Sequence, residues 1–91
     1  MVIVDQDRVI KFRTGKVYFK EHYAMGYFMG WNIYGKKFLK QPILLGTYDT
    51  EEDATQIVSE IYTLKKYGRK KYSMPEAPLQ LDELEDVYYG S

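Results

Sequence analysis

Residues 48–68 read YDTEEDATQIVSEIYTLKKYG, and this stretch decides the fold because it predicts one amphipathic helix with both ends marked. Thr50 can cap the N-terminus by accepting a hydrogen bond from the backbone N–H of Asp53, and Gly68 can end the helix in a left-handed conformation. Apolar residues follow the i, i+3, i+4, i+7, i+8 spacing of one helix face: Ala54, Ile57, Val58, Ile61 and Tyr62. Such a stripe must be covered by another element, and we expect a sheet.

Apolar and alternating segments before the helix predict the strands of that sheet. We expect strands at residues 2–4 and 43–48, a hairpin of residues 9–13 with 16–20 joined by Thr14 and Gly15, and a long central strand over residues 23–34 that ends in a turn at 35–37. Gly26 and Gly30 within the long strand predict a bulge or a close approach of another backbone. A short edge strand is expected at residues 71–74.

The predicted fold class is α+β: an antiparallel meander of four to five strands with one C-terminal amphipathic helix, residues 50–67, packed on one face, followed by an acidic tail. The 91 residues suffice for one domain, which we assign to residues 1–75. That domain has a net charge of +5 (13 basic against 8 acidic residues), whereas residues 76–91 hold five acidic residues and no basic one. We expect this tail to be partly ordered or disordered. One hypothesis is that it folds back onto the cations of residues 1–75.

Composition excludes several classes of function. The absence of cysteine excludes a disulfide framework, a thiolate zinc site and a thiol nucleophile, and it fits a reducing compartment. Neither a signal peptide nor an apolar run of about 18 residues is present, so we predict a cytoplasmic protein that does not bind membranes. His22 has no partners nearby for a metal site or a nucleophilic triad. We therefore predict no enzyme activity, no metal and no cofactor.

Residues 30–36 match the phosphate-binding pattern G-x-x-x-x-G-K, but Lys37 stands where that loop needs Ser or Thr. Bulky strand-forming residues fill the positions between the two glycines. We interpret this segment as a strand and a turn rather than a nucleotide-hydrolysis site.

Two surfaces are candidates for binding. Aromatic residues make up 16% of the chain, more than one small core buries, and a surplus on strands is typical of protein interfaces. The interface candidates are Tyr27, Trp31, Tyr34 and Phe38, for a host protein or for self-association. The alternative is nucleic acid or a signalling nucleotide, bound by cations with interleaved aromatic rings; its candidate residues are Lys36, Lys37, Lys65, Lys66, Arg69, Lys70, Lys71 and Tyr72.

Three short motifs carry a family resemblance. Residues 4–7 (VDQD), 43–54 (ILLGTYDTEEDA) and 72–75 (YSMP) resemble small uncharacterised proteins of bacteriophages, prophages and mobile elements of Gram-positive bacteria. The resemblance covers residues 2–75 and leaves the middle strand and the tail outside its motifs. It implies an accessory protein without catalytic residues to carry over, and so favours binding of a host protein or a signalling nucleotide over catalysis.

Overall fold

The computed structural model describes residues 1–13 and 15–76, which form two three-stranded sheets and one helix. The elements in chain order are β1 (Val2–Val4), β2 (Lys11–Phe12), β3 (Lys16–Ala24), β4 (Tyr27–Lys36), β5 (Ile43–Tyr48), α1 (Glu51–Lys66) and β6 (Lys71–Ser73). The larger sheet is an antiparallel meander in the order β3-β4-β5. In the smaller sheet β1 pairs with β2 antiparallel and with β6 parallel. The α+β class is confirmed, but the meander is confined to one of the two sheets.

The N-terminal cap predicted for the helix is confirmed, because the backbone N–H of Asp53 donates to Thr50 Oγ1 at 3.1 Å. Gly68 follows the helix with a φ of +82°, the left-handed conformation expected there. Ala54, Ile57 and Ile61 are buried, so the apolar stripe faces the core as its spacing predicts. The core that they enter also contains Met74, after β6, and these side chains of both sheets: Ile3, Phe12, Val17, Ile33, Leu45, Tyr48 and Tyr72.

The predicted hairpin of residues 9–13 with 16–20 is wrong. β2 pairs with β1 in the smaller sheet and does not lie beside β3. The reason is the ring of Phe12, which is buried in the core: a Cβ atom at Gly35 would lie 2.7 Å from this ring. Because the bare backbone of β4 receives the ring, β2 lies over the sheet instead of extending its edge.

The single long strand predicted over residues 23–34 is also wrong, although β4 is central as expected. The chain reverses at Met25 and Gly26, whose φ values of 53° and 83° are those of a type I′ turn. The predicted turn at residues 35–37 is displaced as well, because β4 continues to Lys36. The bulge expected at Gly30 is present, since the register shifts between its partner His22 and the next residue of β3.

Gln6 joins the two sheets. Its backbone N–H donates to the carbonyl oxygen of Leu45 at 2.7 Å. Its side-chain amide then forms two bonds with the backbone of Thr47: Nε2 donates to the carbonyl oxygen at 3.1 Å, and Oε1 accepts from the N–H at 3.0 Å. The segment after β1 is thereby attached to the outer edge of β5. The acidic tail lies outside the described residues, apart from Glu76.

Shortening the buried helix residues tests the packing of α1. We expect Ile57→Ala and Ile61→Ala each to lower the free energy of unfolding by about 2–5 kcal/mol, because each leaves a cavity beneath the helix. Urea unfolding measures this loss. The control Gln56→Ala, on the exposed face of α1, should change stability by less than about 0.5 kcal/mol. Equal unfolding midpoints for all three variants would contradict the packing.

The attachment through Gln6 has its own test. We expect Gln6→Leu to lower the free energy of unfolding by about 1–3 kcal/mol, because the N–H and C=O of Thr47 lose their partners. Asp7→Ala, at the exposed neighbouring position, is the matched control. Thermal unfolding of both variants measures this loss. Equal melting temperatures would mean that the Gln6 amide does not contribute to the stability of the fold.

Candidate functional site

The turn between β3 and β4 carries a cluster of exposed apolar side chains, which we call the hairpin tip. Its members are Tyr23, Met25, Tyr27, Phe28 and Met29. β5 pairs with β4 only from Trp31 to Gly35, so the tip is a two-stranded extension beyond the third strand. Residues 23–29 contain no charged side chain, and both Met25 (96% exposed) and Tyr27 (74%) face solvent. The tip is therefore an apolar protrusion.

Met25 occupies a position for which methionine is poorly suited. Its φ of 53° is left-handed, and type I′ turns favour Asn, Asp or Gly at such positions because other residues are strained there. Its exposed side chain contributes nothing to the core. Neither the turn nor the packing of the described residues explains this methionine.

A row of aromatic rings connects the tip to the core. Neighbouring rings meet edge to face, with centroids 5.7 Å apart for Tyr23 and Phe28, 5.8 Å for Phe28 and Trp31, and 5.7 Å for Trp31 and Phe19. Phe19 and Trp31 are half-buried and pack against the core cluster. Since this geometry is favourable for aromatic pairs, the row holds the base of the protrusion in place.

The four predicted interface residues do not form one surface. Tyr27 belongs to the hairpin tip, whereas Trp31 lies on the core side of β4. Tyr34 lies on the opposite side of β4, where its ring stacks on Tyr18 at 5.6 Å and its hydroxyl accepts from Asn32 Nδ2 at 3.0 Å. Phe38 is 88% exposed in the loop after β4, about 30 Å along the strand from Tyr27.

Sequence reasoning missed Met25 and Met29 as exposed residues because it read the tip as the interior of a buried strand. The segment 23–29, YAMGYFM, has the unbroken apolar pattern of a central strand. The one available signal was Gly26, which fits the second position of a type I′ turn as well as it fits a bulge.

Lys66 is exposed at the last position of α1, and the other predicted phosphate-binding cations fall into two groups. Lys36 and Lys37 border a shallow groove with Lys16 and Phe38, and Lys65 lines a crevice with Arg13; Gly15 lines both surfaces. Arg13 and Lys16 are cations that the prediction omitted. No acidic residue lines either surface in the described part of the chain, so this end of the sheet is basic.

The second group lies beyond the end of α1. Arg69, Lys70 and Lys71 line an open groove together with Glu60. Tyr72 lies at this groove but is buried, and its hydroxyl donates to Glu60 Oε1 at 2.9 Å. Burial and this hydrogen bond raise the pKa of Tyr72 above its usual range. Its ring is thus not presented to solvent for stacking on a base.

The chain matches no protein-family model, and no curated protein or solved structure is significantly similar to it. Within residues 1–13 and 15–76, no helix is long and apolar enough to cross a bilayer. No three His, Asp or Glu side chains in this same part of the chain are grouped so that they could hold a metal ion.

Proposed function

We propose that this chain is a non-catalytic binding protein of the cytoplasm and that it engages another protein through the hairpin tip. The observation that carries the proposal is Met25, a strained residue whose side chain is 96% exposed. Strain of this kind is concentrated at functional sites, because the fold alone gives no reason to keep it.

The chemistry of the hairpin tip fits a protein partner. Methionine adapts its flexible thioether to irregular surfaces, and tyrosine contributes a large contact area with a polar end. Tyrosine is also enriched among the residues that dominate binding energy in interfaces. An uncharged protrusion of this kind suits an apolar groove on the partner. The resemblance to phage and mobile-element proteins supports a host protein as that partner.

Replacing Met25 with asparagine separates binding from folding. We expect Met25→Asn to keep or raise the free energy of unfolding, by up to about 1 kcal/mol, because asparagine tolerates the left-handed conformation better. The same change removes the most exposed apolar group of the tip. Affinity capture from a nuclease-treated lysate of a Gram-positive bacterium should therefore recover a specific protein with the native chain and lose it with the variant.

The matched control is Leu39→Asn. Leu39 is also left-handed (φ 63°) and 82% exposed, but it lies in the loop at the opposite end of β4. Capture that survives Leu39→Asn and fails with Met25→Asn assigns binding to the hairpin tip. Capture that fails only with Leu39→Asn, or that survives both changes, contradicts the proposal.

Nucleic acid or a nucleotide is the second candidate ligand. The observation that favours it is Phe38, an exposed ring beside Lys36 and Lys37, because single-stranded sites combine stacking rings with cations that follow the phosphates. The ring of Phe38 is exposed and can stack on a base, whereas the ring of Tyr72 is buried.

Salt dependence tests this second candidate. With a single-stranded oligonucleotide as the probe, the logarithm of the association constant should fall linearly with the logarithm of salt concentration. Lys36→Gln and Lys37→Gln should each reduce that slope by about 0.7. Glu76→Gln, an exposed site outside the basic grooves, is the control. Undetectable binding at low salt, or a slope unaffected by the lysine changes, would exclude this site.

A further inference from the structure

The larger sheet has two edge strands, β3 and β5. Hydrogen bonds from Gln6 satisfy outward backbone groups of β5, and in this sense that edge is closed. Along β5, the backbone N–H of Gln6 occupies the carbonyl of Leu45, and the Gln6 amide satisfies both backbone groups of Thr47. Gln6 thus makes the hydrogen bonds that a neighbouring strand would otherwise make. A further strand cannot add there without displacing it.

The edge of β3 is closed at Val17 alone. The Tyr62 hydroxyl accepts from the Val17 N–H and donates to the Val17 C=O, each at 3.1 Å. In an antiparallel strand the N–H and C=O groups of alternate residues point to the same side, so those of Phe19, Glu21 and Tyr23 point away from β4 as well. No hydrogen bond from elsewhere in residues 1–13 and 15–76 reaches them.

We propose that a second copy of this chain pairs with this open edge, β3 against β3, antiparallel about a two-fold axis at His22. Addition of a strand to an exposed edge is an established mode of recognition, and two-fold symmetry is the commonest arrangement of homo-oligomers. The pairing uses the outer side of β3. It includes Tyr23 at the base of the hairpin tip, whereas Met25 and Tyr27 supply the most exposed side chains of that tip.

Like charges and the occupied backbone of Val17 disfavour three other registers. An axis at Lys20 places Lys20 opposite its own copy, and an axis at Glu21 does the same for that carboxylate; both registers are unfavourable because like charges face each other. An axis at Phe19 requires the backbone of Val17, which Tyr62 already occupies. The axis at His22 avoids all three conflicts.

In that register the open segment is complementary to itself, which selects a second copy over an unrelated peptide. Glu21 faces Tyr23 of the partner subunit, and these two side chains already form a hydrogen bond of 3.4 Å within one chain. Lys20 faces Ala24 of the partner subunit. His22 faces its own copy across the axis.

Sedimentation velocity of the full chain is the first test. We expect a reversible monomer–dimer equilibrium with a dissociation constant below about 1 mM. Glu21→Pro should abolish the dimer, because proline removes an outward N–H that makes no bond within the chain, and Glu21→Gln should retain it. Circular dichroism verifies that both variants are folded. A chain that is monomeric throughout, or a folded Glu21→Pro variant that still dimerises, overturns the proposal.

Disulfide trapping tests the register even if the proline variant fails to fold. The chain has no cysteine, so His22→Cys introduces a single thiol at the two-fold axis. Opposed residues of a non-hydrogen-bonded pair have Cα atoms about 4.5 Å apart, within the range of a disulfide. With oxidised glutathione as the oxidant, His22→Cys should form a covalent dimer. Lys20→Cys should not, because its two copies lie about 13 Å apart. Equal trapping of both variants, or of neither, contradicts the pairing.

Discussion

The structure depends on the paired hydrogen bonds between the Gln6 amide and the backbone of Thr47. These bonds attach the smaller sheet to the edge of the larger one, and they satisfy backbone groups that would otherwise be left at that edge. The hydroxyl of Tyr48 reinforces the attachment, since it donates to the carbonyl oxygen of Pro75 at 2.6 Å. The segments that follow β1 and β6 are therefore both held against β5, and α1 covers one face of the joined structure.

Closing one edge in this way leaves the opposite edge of the larger sheet largely without hydrogen-bond partners within the described residues. There the Tyr62 hydroxyl satisfies only Val17, and the hairpin continues past β5 to an uncharged tip. The row of edge-to-face rings from Phe19 to Tyr23 packs the base of this extension against the core. A backbone held in place lowers the conformational entropy lost on binding, although the exposed side chains of Met25 and Met29 must still be ordered. The fold thus places its most exposed apolar turn and its open sheet edge on the same β3–β4 hairpin.

Local chemistry made α1 and β5 predictable. The cap at Thr50, the left-handed Gly68 and the Ile57 stripe each depend on neighbours within a few residues, and the limits of β5 follow from its own apolar pattern. The pairing of β2 was not predictable in this way, because it depends on the Phe12 ring meeting Gly35 from a distant part of the chain.

The exposed hairpin tip could not be predicted from the sequence for a related reason. An apolar run has the same appearance whether it is buried in a central strand or exposed at a hairpin tip, and only the turn at Gly26 distinguishes the two. Sequence reasoning therefore found Tyr27 but not Met25. The sheet-joining role of Gln6 was equally invisible, because its amide acts on a strand 41 residues away. Residue-resolved amide hydrogen exchange on the dilute chain tests most directly whether one edge is closed and the other open. The amides of Thr47 and Val17 should be protected by their side-chain partners, and those of Phe19 and Glu21 should exchange rapidly. Rapid exchange at Thr47 together with protection at Glu21 would contradict the account.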